Sequence, residues 1–563
     1  MDSSETDRPL NQAPSTDGTV KLGSASLTFE GDNLVVRDKA QAKKNRNKVC
    51  GVPIGHVRPE LSIPFYQVLW AEAHEGSLII DYAHVGKNHQ VRPRRLSYAL
   101  ESQKSSNNDA APPLTAVVEP WIETLLARAY PTPSHQRRRR AKVIVNPHAG
   151  PGGALRIWEK EVRPVFEAAR LPIDVTFTKR AGEAVGICEK LDIDAYDVVV
   201  PCSGDGLAHE VFNGLGRRRD ARGALRKLAV AHIPCGSGNA MSLNLNGSNR
   251  PAEAALAVVK GVRTPLDLMS VTQGGGGDGS GGPVEGGEGE QDRDNEEPVR
   301  RTLSFLSQSV GIVAECDLGT ENMRWMGPMR FDVGVGLRIF SKKVYPCDVA
   351  VKVEVADKDG IKAKYLSEKS AAMANLNVRR QGRGGSSEED LIEDGEWGLP
   401  QLRYGSINDK VPEDWEKFTY DNMGNFYCGT MPYMAPNANF FPASSPNDGL
   451  MDLVTNDGDI AATKYLELMT AIEKERFFEN PLVKYRKVVA YRITPRNQKD
   501  GYISIDGERI PFEPFQVEIH QGLATVLSKS GRYEANGPTG WENTVAAVNG
   551  NANGNGNGNG TVV

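Results

Sequence analysis

The chain has little of what marks several common protein classes. Its 563 residues include 7 cysteines, none in a CxxC pair or at metal-ligand spacing, a pattern that suits a reducing cytosol. No window approaches the ~18 to 20 apolar residues of a membrane span. The stretch MDSSETDRPLNQAPSTDG has no apolar core of the signal-peptide kind. The expectation is a cytoplasmic protein whose contact with intracellular or plasma membranes is peripheral. Charge of one sign is also lacking: 67 Lys and Arg against 72 Asp and Glu leave a net −5, so there is no overall basic footprint and no nucleic-acid partner is expected. One short basic run, RRRRAK at Arg137 to Lys142, reads as the solvated start of a strand, with membrane-surface contact as the other reading. The P-loop pattern GxxxxGK[ST] is absent, as is GxGxxG followed by an acid on the next strand.

What is present is an ordinary globular composition, 39% apolar and 25% charged, with length for more than one domain. Residues 1–16 are low in complexity and expected to be disordered. Residues 17–100 alternate short strand-like runs with turn residues and read as a small β module. The segment 101–136 is a linker that carries one amphipathic helix, PWIETLLARAY, with Pro120 at its first turn.

From residue 137 to 265 strand and helix signals alternate. AKVIVNP, IDVTFT, YDVVVP and KLAVAHIP each feed a helical stretch, which implies a parallel sheet with crossover helices. Ligands of such sheets bind beyond the carboxyl ends of the strands. Residues 266–532 read as an antiparallel β-rich second domain with few helices. Two Gly-rich or acidic insertions, 273–299 and 379–396, interrupt it, and 533–563 is expected to be a disordered tail. The fold class is thus α/β plus β, with the active site in the cleft between the two parts.

Three strand ends carry backbone without bulk: NPHAGPGG with Gly150 and Gly152, SGDG with Gly204 and Gly206, and CGSGNA with Ser237 and Gly238. Such turns let amide groups approach an anion and set a helix N-terminus against it, and phosphate is the natural ligand. Each loop taken singly is equally consistent with a tight turn that merely needs glycine. Asp205, between Gly204 and Gly206, can accept a hydroxyl proton at the mouth of the cleft or cap the helix LAHEVFNG, and the two roles are compatible. His209, one turn on, reads as a structural partner.

SGDGLAHEVFNGL, with NPHAGPGG, TKRAGEA, PCGSGNAMSLNL and the late DGE at Asp506 to Glu508, resembles the sphingosine kinases, the sphingoid long-chain-base kinases of the diacylglycerol kinase superfamily. The resemblance runs from about Lys142 to Ser528 apart from the insertions. Diacylglycerol and ceramide kinases typically show GGDG, whereas serine first and HEVxNG after it are similar to the sphingosine group. The resemblance implies an ATP-dependent, magnesium-assisted kinase that phosphorylates the primary hydroxyl of a sphingoid base presented from a membrane. Asp205 would activate that hydroxyl. Asn146, Thr178, Gly206 and Ser237 would line the nucleotide site, Arg324 and Arg330 would hold its phosphates, and Glu508 would contact it from the closing hairpin. Asp317 would meet the amine and secondary hydroxyl of the lipid, with Ser307 adding a polar contact, and the pair Glu315 and Asp317 suits a cationic amine. The resemblance assigns no direct magnesium ligands. A diacylglycerol or ceramide kinase of the same fold, and a non-catalytic lipid-binding protein, are the alternatives.

Overall fold

The computed structural model describes residues 18–38, 48–49, 52–53, 60–87, 90–100, 114–131, 136–150, 152–274, 299–319, 343–380, 397–535, 537–538 and 541. The expected disordered segment 1–16 and most of both expected insertions lie outside the described residues. The chain divides into two compact units: Met1–Arg139 with Glu159–Pro172 and Ala255–Lys260, and Arg140–Trp158 with Ile173–Ala254 and Gly261–Val563.

The first unit holds a four-stranded antiparallel sheet (Val20–Leu22, Ala25–Glu30, Asn33–Asp38 and Glu60–Pro64) and a three-stranded one (Val68–His74, Ser77–Val85 and Val91–Ala99). Alternating burial along Ala25–Glu30 sends Ala25, Leu27 and Phe29 inward, as a half-buried strand requires. Phe29 stacks on Trp121 at 5.0 Å, which joins sheet and helix. That helix runs from Leu114 to Ala129, so Pro120 lies in its interior and not in its first turn as expected. The register is set by Trp121, Leu125 and Ala129, all buried, which outweigh the backbone hydrogen bond that proline forgoes.

The basic run is solvated in part. Arg137 pairs with Glu123 at 2.9 Å, Arg139 is buried and donates to the carbonyls of Val258 and Val259, and in the second unit Arg140 pairs with Asp197 at 3.0 Å. Arg138 and Arg140 are exposed, as a solvated strand start requires, and only Arg139 of the four is buried.

The second unit is organised by one sheet. Its parallel part has the spatial order Ile173–Phe177, Ala141–Val145, Val198–Ser203, Ala229–Val230. Ala141–Val145, Val198–Ser203 and Ala229–Val230 are buried throughout and rich in Val, Ile and Ala, as strands covered on both faces should be, whereas the edge strand Ile173–Phe177 is only partly buried. The chain moves to one side of Ala141–Val145 and then to the other, so a switch point lies between Ala141–Val145 and Val198–Ser203. The loops that leave these two strands are NPHAGPGG and SGDG.

The C-terminal strand Phe515–Ser528 continues the sheet. It pairs in parallel with Ala229–Val230 and antiparallel with Val262–Gln273 and Lys484–Pro495. Beyond it come Met451–Asp457, Met423–Gly429, Ser307–Gly311, Ile503–Ile505 and Glu508–Ile510, all antiparallel. Ile144, Val199, Leu207, Val211, Phe212 and Leu245 form one core, and Val271, Val310, Phe426, Tyr491, Ile505 and Val517 another.

Three departures stand out in the β-rich part. Within the part read as β-rich with few helices, Ile312–Leu318 is a helix, entered through Gly311 at φ 101°. A 23-residue helix, Lys358–Arg380, occupies polar sequence that shows no clear apolar period, and its last residues fall within the expected insertion at 379. The expected tail from 533 is ordered at its start. Tyr533 and Trp541 are buried, Trp541 packs edge-on against Phe478 at 4.9 Å, and its indole N–H donates to Glu479 at 3.1 Å.

Candidate active site

The three glycine loops converge within the second unit. A Cβ on Gly150 would lie 2.6 Å from the Cys235 carbonyl oxygen, and one on Gly236 would lie 2.5 Å from the Gly204 Cα. Real Cβ atoms do not approach so closely, so glycine is required for loops from three strands to meet. Gly150 and Gly152 also take the left-handed region, at φ 57° and 83°.

Asp205 stands where they meet. It opens the helix Asp205–Gly216, yet its carboxylate does not cap that helix. Its two oxygens accept instead from the backbone N–H groups of Ala240 (2.8 Å) and Met241 (2.9 Å), the first turn of the helix Ala240–Asn246. The carboxylate is thus oriented by a helix reached 35 residues later, and it stays half-buried with lone pairs to spare. Asn239 makes this possible. It takes the left-handed region at φ 55°, accepts from the Gly236 N–H at 2.8 Å and donates to the Gly236 carbonyl at 2.7 Å, which closes the CGSGNA turn. Gly238 leaves space over Asp205, since its Cβ would stand 3.4 Å from Oδ2.

The late DGE forms the tip of the hairpin Ile503–Ile505 and Glu508–Ile510, with Asp506 at φ 53° and Gly507 at φ 85°, the backbone that a two-residue hairpin turn needs. Asp506 points inward and is buried. It accepts from Ser304 Oγ (2.6 Å), from the N–H groups of Phe305 (3.1 Å), Leu306 (2.9 Å) and Ser307 (3.0 Å), and lies 2.8 Å from His209 Nδ1. Burial alone would lower the pKa of the His209 imidazole, but the Asp506 hydrogen bond and charge, with Glu508 and Glu210 beyond, raise it. Asn213 Nδ2 lies 3.2 Å from His209 Nε2 and donates to the Leu303 carbonyl, while its own amide oxygen accepts from the Leu303 N–H.

The turn carries Glu508 to the glycine loops. Its Oε1 would stand 2.6 Å from a Cβ on Gly206, and its side chain is exposed. Asp317 lies on the other side of the turn, accepting from Ser504 Oγ at 3.2 Å, with Oδ2 3.7 Å from a Cβ on Gly507. Ser307 is buried at 3.5 Å from the Tyr427 hydroxyl, whose pKa is raised by burial first and then by the charges of Asp317 and Asp506.

Other expected site residues are placed as follows. Asn146 uses its amide oxygen to accept from the His148 N–H at 3.0 Å, and so shapes its own loop. Thr178 is buried, and its N–H donates to the Val145 carbonyl at 2.9 Å. Ser237 is half-buried between Gly236 and Gly238. Arg324 and Arg330 lie outside the described residues. Glu315 is ion-paired. Lys343 donates to both of its oxygens, at 3.0 and 2.9 Å, and Tyr345 also bonds to it, so its carboxylate is already engaged within the chain. Sequence reasoning took DGE as a ligand motif through Glu508 and gave no role to Asp506; the signal available was the pairing of HEVFNG with that turn. Glu210 in the same motif accepts from the Ala184 N–H at 3.0 Å, which ties TKRAGEA to the same helix.

A family model, the diacylglycerol kinase catalytic domain, matches residues 140–271, and a domain of unknown function, DUF7493, matches residues 19–131. The chain is 32% identical over 502 residues to sphingoid long chain base kinase 4 of Schizosaccharomyces pombe, covering 89% of this chain and 95% of that one. It is 33% identical over 488 residues to sphingoid long chain base kinase 5 of Saccharomyces cerevisiae, and there it spans 66% of the relative's length. Among solved structures, a diacylglycerol kinase from Bacillus anthracis matches over 70% of this chain and 98% of its own at 18% identity, with a TM-score of 0.43.

Proposed function

Because the chain belongs to the sphingoid long-chain-base kinase family, we propose that it transfers the terminal phosphoryl group of ATP to the primary hydroxyl of a sphingoid base such as sphingosine, giving the 1-phosphate. The observation that carries this is the Asp205 carboxylate, fixed by two amide N–H groups at the point where three glycine loops meet. It accepts the hydroxyl proton as the oxygen attacks. Phosphoryl transfer has a loose transition state, so orientation of the hydroxyl contributes more than basicity.

The nucleotide's phosphates lie along the amides of the Asn146–Gly153, Ser203–Gly206 and Cys235–Ala240 turns, in the cleft between the parallel and antiparallel parts of the sheet. Arg324 and Arg330 supply cations from the second part. Magnesium, when bound, neutralises the triphosphate. The exposed Glu508 carboxylate beside Gly206 fits that ion, since a carboxylate next to a triphosphate requires a cation between them. The lipid arrives from a membrane surface, and its ammonium group meets Asp317, with Ser307 alongside. Glu315 being held by Lys343, discrimination for an amine rests on Asp317 alone of that pair.

The test is turnover with labelled ATP across sphingosine, ceramide and diacylglycerol. Sphingosine should be phosphorylated fastest. A faster rate on diacylglycerol would reassign the substrate class, and no turnover on any lipid alcohol would leave a non-catalytic lipid-binding protein.

A further inference from the structure

Beside the SGDG turn, in the second unit, stands a histidine to which the phosphoryl-transfer reading gives no role. The short strands Ala229–Val230 and Ile233–Pro234 both pair in parallel with Val198–Ser203, and the pairing is interrupted between them, at His232. The interruption leaves His232 two bonds that lie outside the ladder. Its ring Nε2 is 3.1 Å from the Ser203 carbonyl oxygen, and its own carbonyl accepts from Asn246 Nδ2 at 3.2 Å. Only 1% of the residue is exposed, so neither bond competes with solvent.

Each bond leads to Asp205. Ser203 ends its strand two residues before Asp205, and its carbonyl also accepts from the Cys235 N–H at 2.7 Å. With His232 as the second donor both lone pairs of that carbonyl are used, and the backbone that enters Gly204-Asp205 is held from two directions. Asn246 closes the helix Ala240–Asn246, whose first turn supplies the N–H groups of Ala240 and Met241 to the Asp205 carboxylate. One histidine is thus bonded to the strand end that carries the Asp205 backbone and to the helix that orients its side chain. The charge of the ring suits that task. A carbonyl only accepts, so Nε2 carries the proton, while Nδ1 is buried and has no hydrogen-bond partner among the described residues. Burial lowers the His232 pKa, against the Asp205 charge and the Ser203 and Gly204 carbonyls, which raise it. A neutral ring holds the turn without adding a cation that would weaken Asp205 as a proton acceptor.

We propose that His232 is a positioning residue for phosphoryl transfer, which aligns the Asp205 carboxylate through Ser203 on one side and Asn246 on the other. The proposal rests on the reading of Asp205 as the group that accepts the hydroxyl proton.

The experiment compares His232→Gln, His232→Asn and His232→Phe in the full chain. The glutamine amide N–H reaches about as far as Nε2 and can still bond Ser203, whereas the shorter asparagine and the apolar phenylalanine cannot. His232→Asn and His232→Phe should lower kcat roughly five- to tenfold with KM for ATP and for sphingosine within about twofold, and His232→Gln should bring kcat back to within about twofold. Should the phenylalanine variant fail to fold, the two polar variants decide, since they differ in reach alone. Amide hydrogen exchange gives a readout without turnover: the N–H groups of Ala240 and Met241 should exchange faster in His232→Asn than in His232→Gln. Equal kcat in all folded variants, a loss of kcat in step with both KM values, or unchanged exchange at Ala240 and Met241 overturns the proposal. A near-normal kcat in Asp205→Asn would remove the reading on which it rests, whereas a lost kcat there beside unaltered His232 variants would remove the proposal alone.

Discussion

Asp205 and Asp506 invite comparison, because each stands directly before a glycine at the end of a strand, in Gly204-Asp205-Gly206 and in Asp506-Gly507-Glu508. A carboxylate has about four lone-pair sites. Asp205 gives two of them to Ala240 and Met241 and keeps the rest toward half-open space. Asp506 faces His209, Ser304 and three consecutive backbone N–H groups, and its side chain has no solvent exposure. One aspartate can take a proton from a ligand and the other has no site left to do so. Exposure and hydrogen-bond saturation separate chemistry from architecture here, since residue type and neighbouring glycine do not.

The comparison can be broken or sharpened by substitution. Asp205→Asn should reduce kcat by about 10²- to 10⁴-fold while nucleotide affinity stays within a few-fold. Because the new NH2 would face a backbone N–H, a small loss of stability, about 1 kcal/mol, should accompany it. Rate measurements beside thermal unfolding separate the two effects, and a near-normal kcat would reduce Asp205 to a helix-capping group. Asp506→Ala should do the reverse. It leaves buried N–H groups and His209 without their acceptor, so denaturant unfolding should report a loss of about 3–5 kcal/mol. A stable, active variant would show that the hairpin does not need its anchor.

Asp317→Asn should raise KM for sphingosine about ten- to a hundredfold, as expected for loss of a charge-assisted hydrogen bond, with KM for ATP almost unaltered. Normal sphingosine affinity would remove Asp317 from the lipid site. The smallest effect is the pH dependence of the Asp506 anchor. The folded-state pKa of His209 is raised, so the stability its charge contributes is complete below the unfolded value near 6.5 and is lost as pH rises through the folded value. The stability gap between the wild type and His209→Gln should therefore narrow from pH 5.5 to 8.5. A gap that widens with pH would mean a neutral imidazole in the folded protein.

Much of this architecture is legible in the residues. The parallel strands announce themselves as β-branched runs ending in glycine turns, and FQVEIHQGLATVLS is one strand from Phe515 to Ser528 as its alternation suggests. Asp205 and the Asp506–Glu508 turn are legible as motifs. Their partners are not, because the hydrogen bonds that Asp205 accepts from Ala240 and Asp506 from Ser304 depend on how distant segments dock, which local pattern does not encode. The ion pair of Glu315 was equally illegible, because Lys343 lies 28 residues on. The helix Lys358–Arg380 was hidden by its polar composition, and the burial of Trp541 by a sequence otherwise poor in apolar residues.

The strand Phe515–Ser528 has a consequence for biosynthesis. The edge of the parallel sheet at Ala229 and Val230 is completed by Thr525 and Val526, almost 300 residues downstream. At roughly 5–20 residues per second, ribosomes need about 15 to 60 seconds to supply that partner. For this interval the nascent α/β part carries an open apolar edge, the kind of edge that pairs with other chains. The catalytic half therefore cannot finish folding as it emerges, and a gene fragment that stops after the glycine loops would yield a chain with its sheet unclosed.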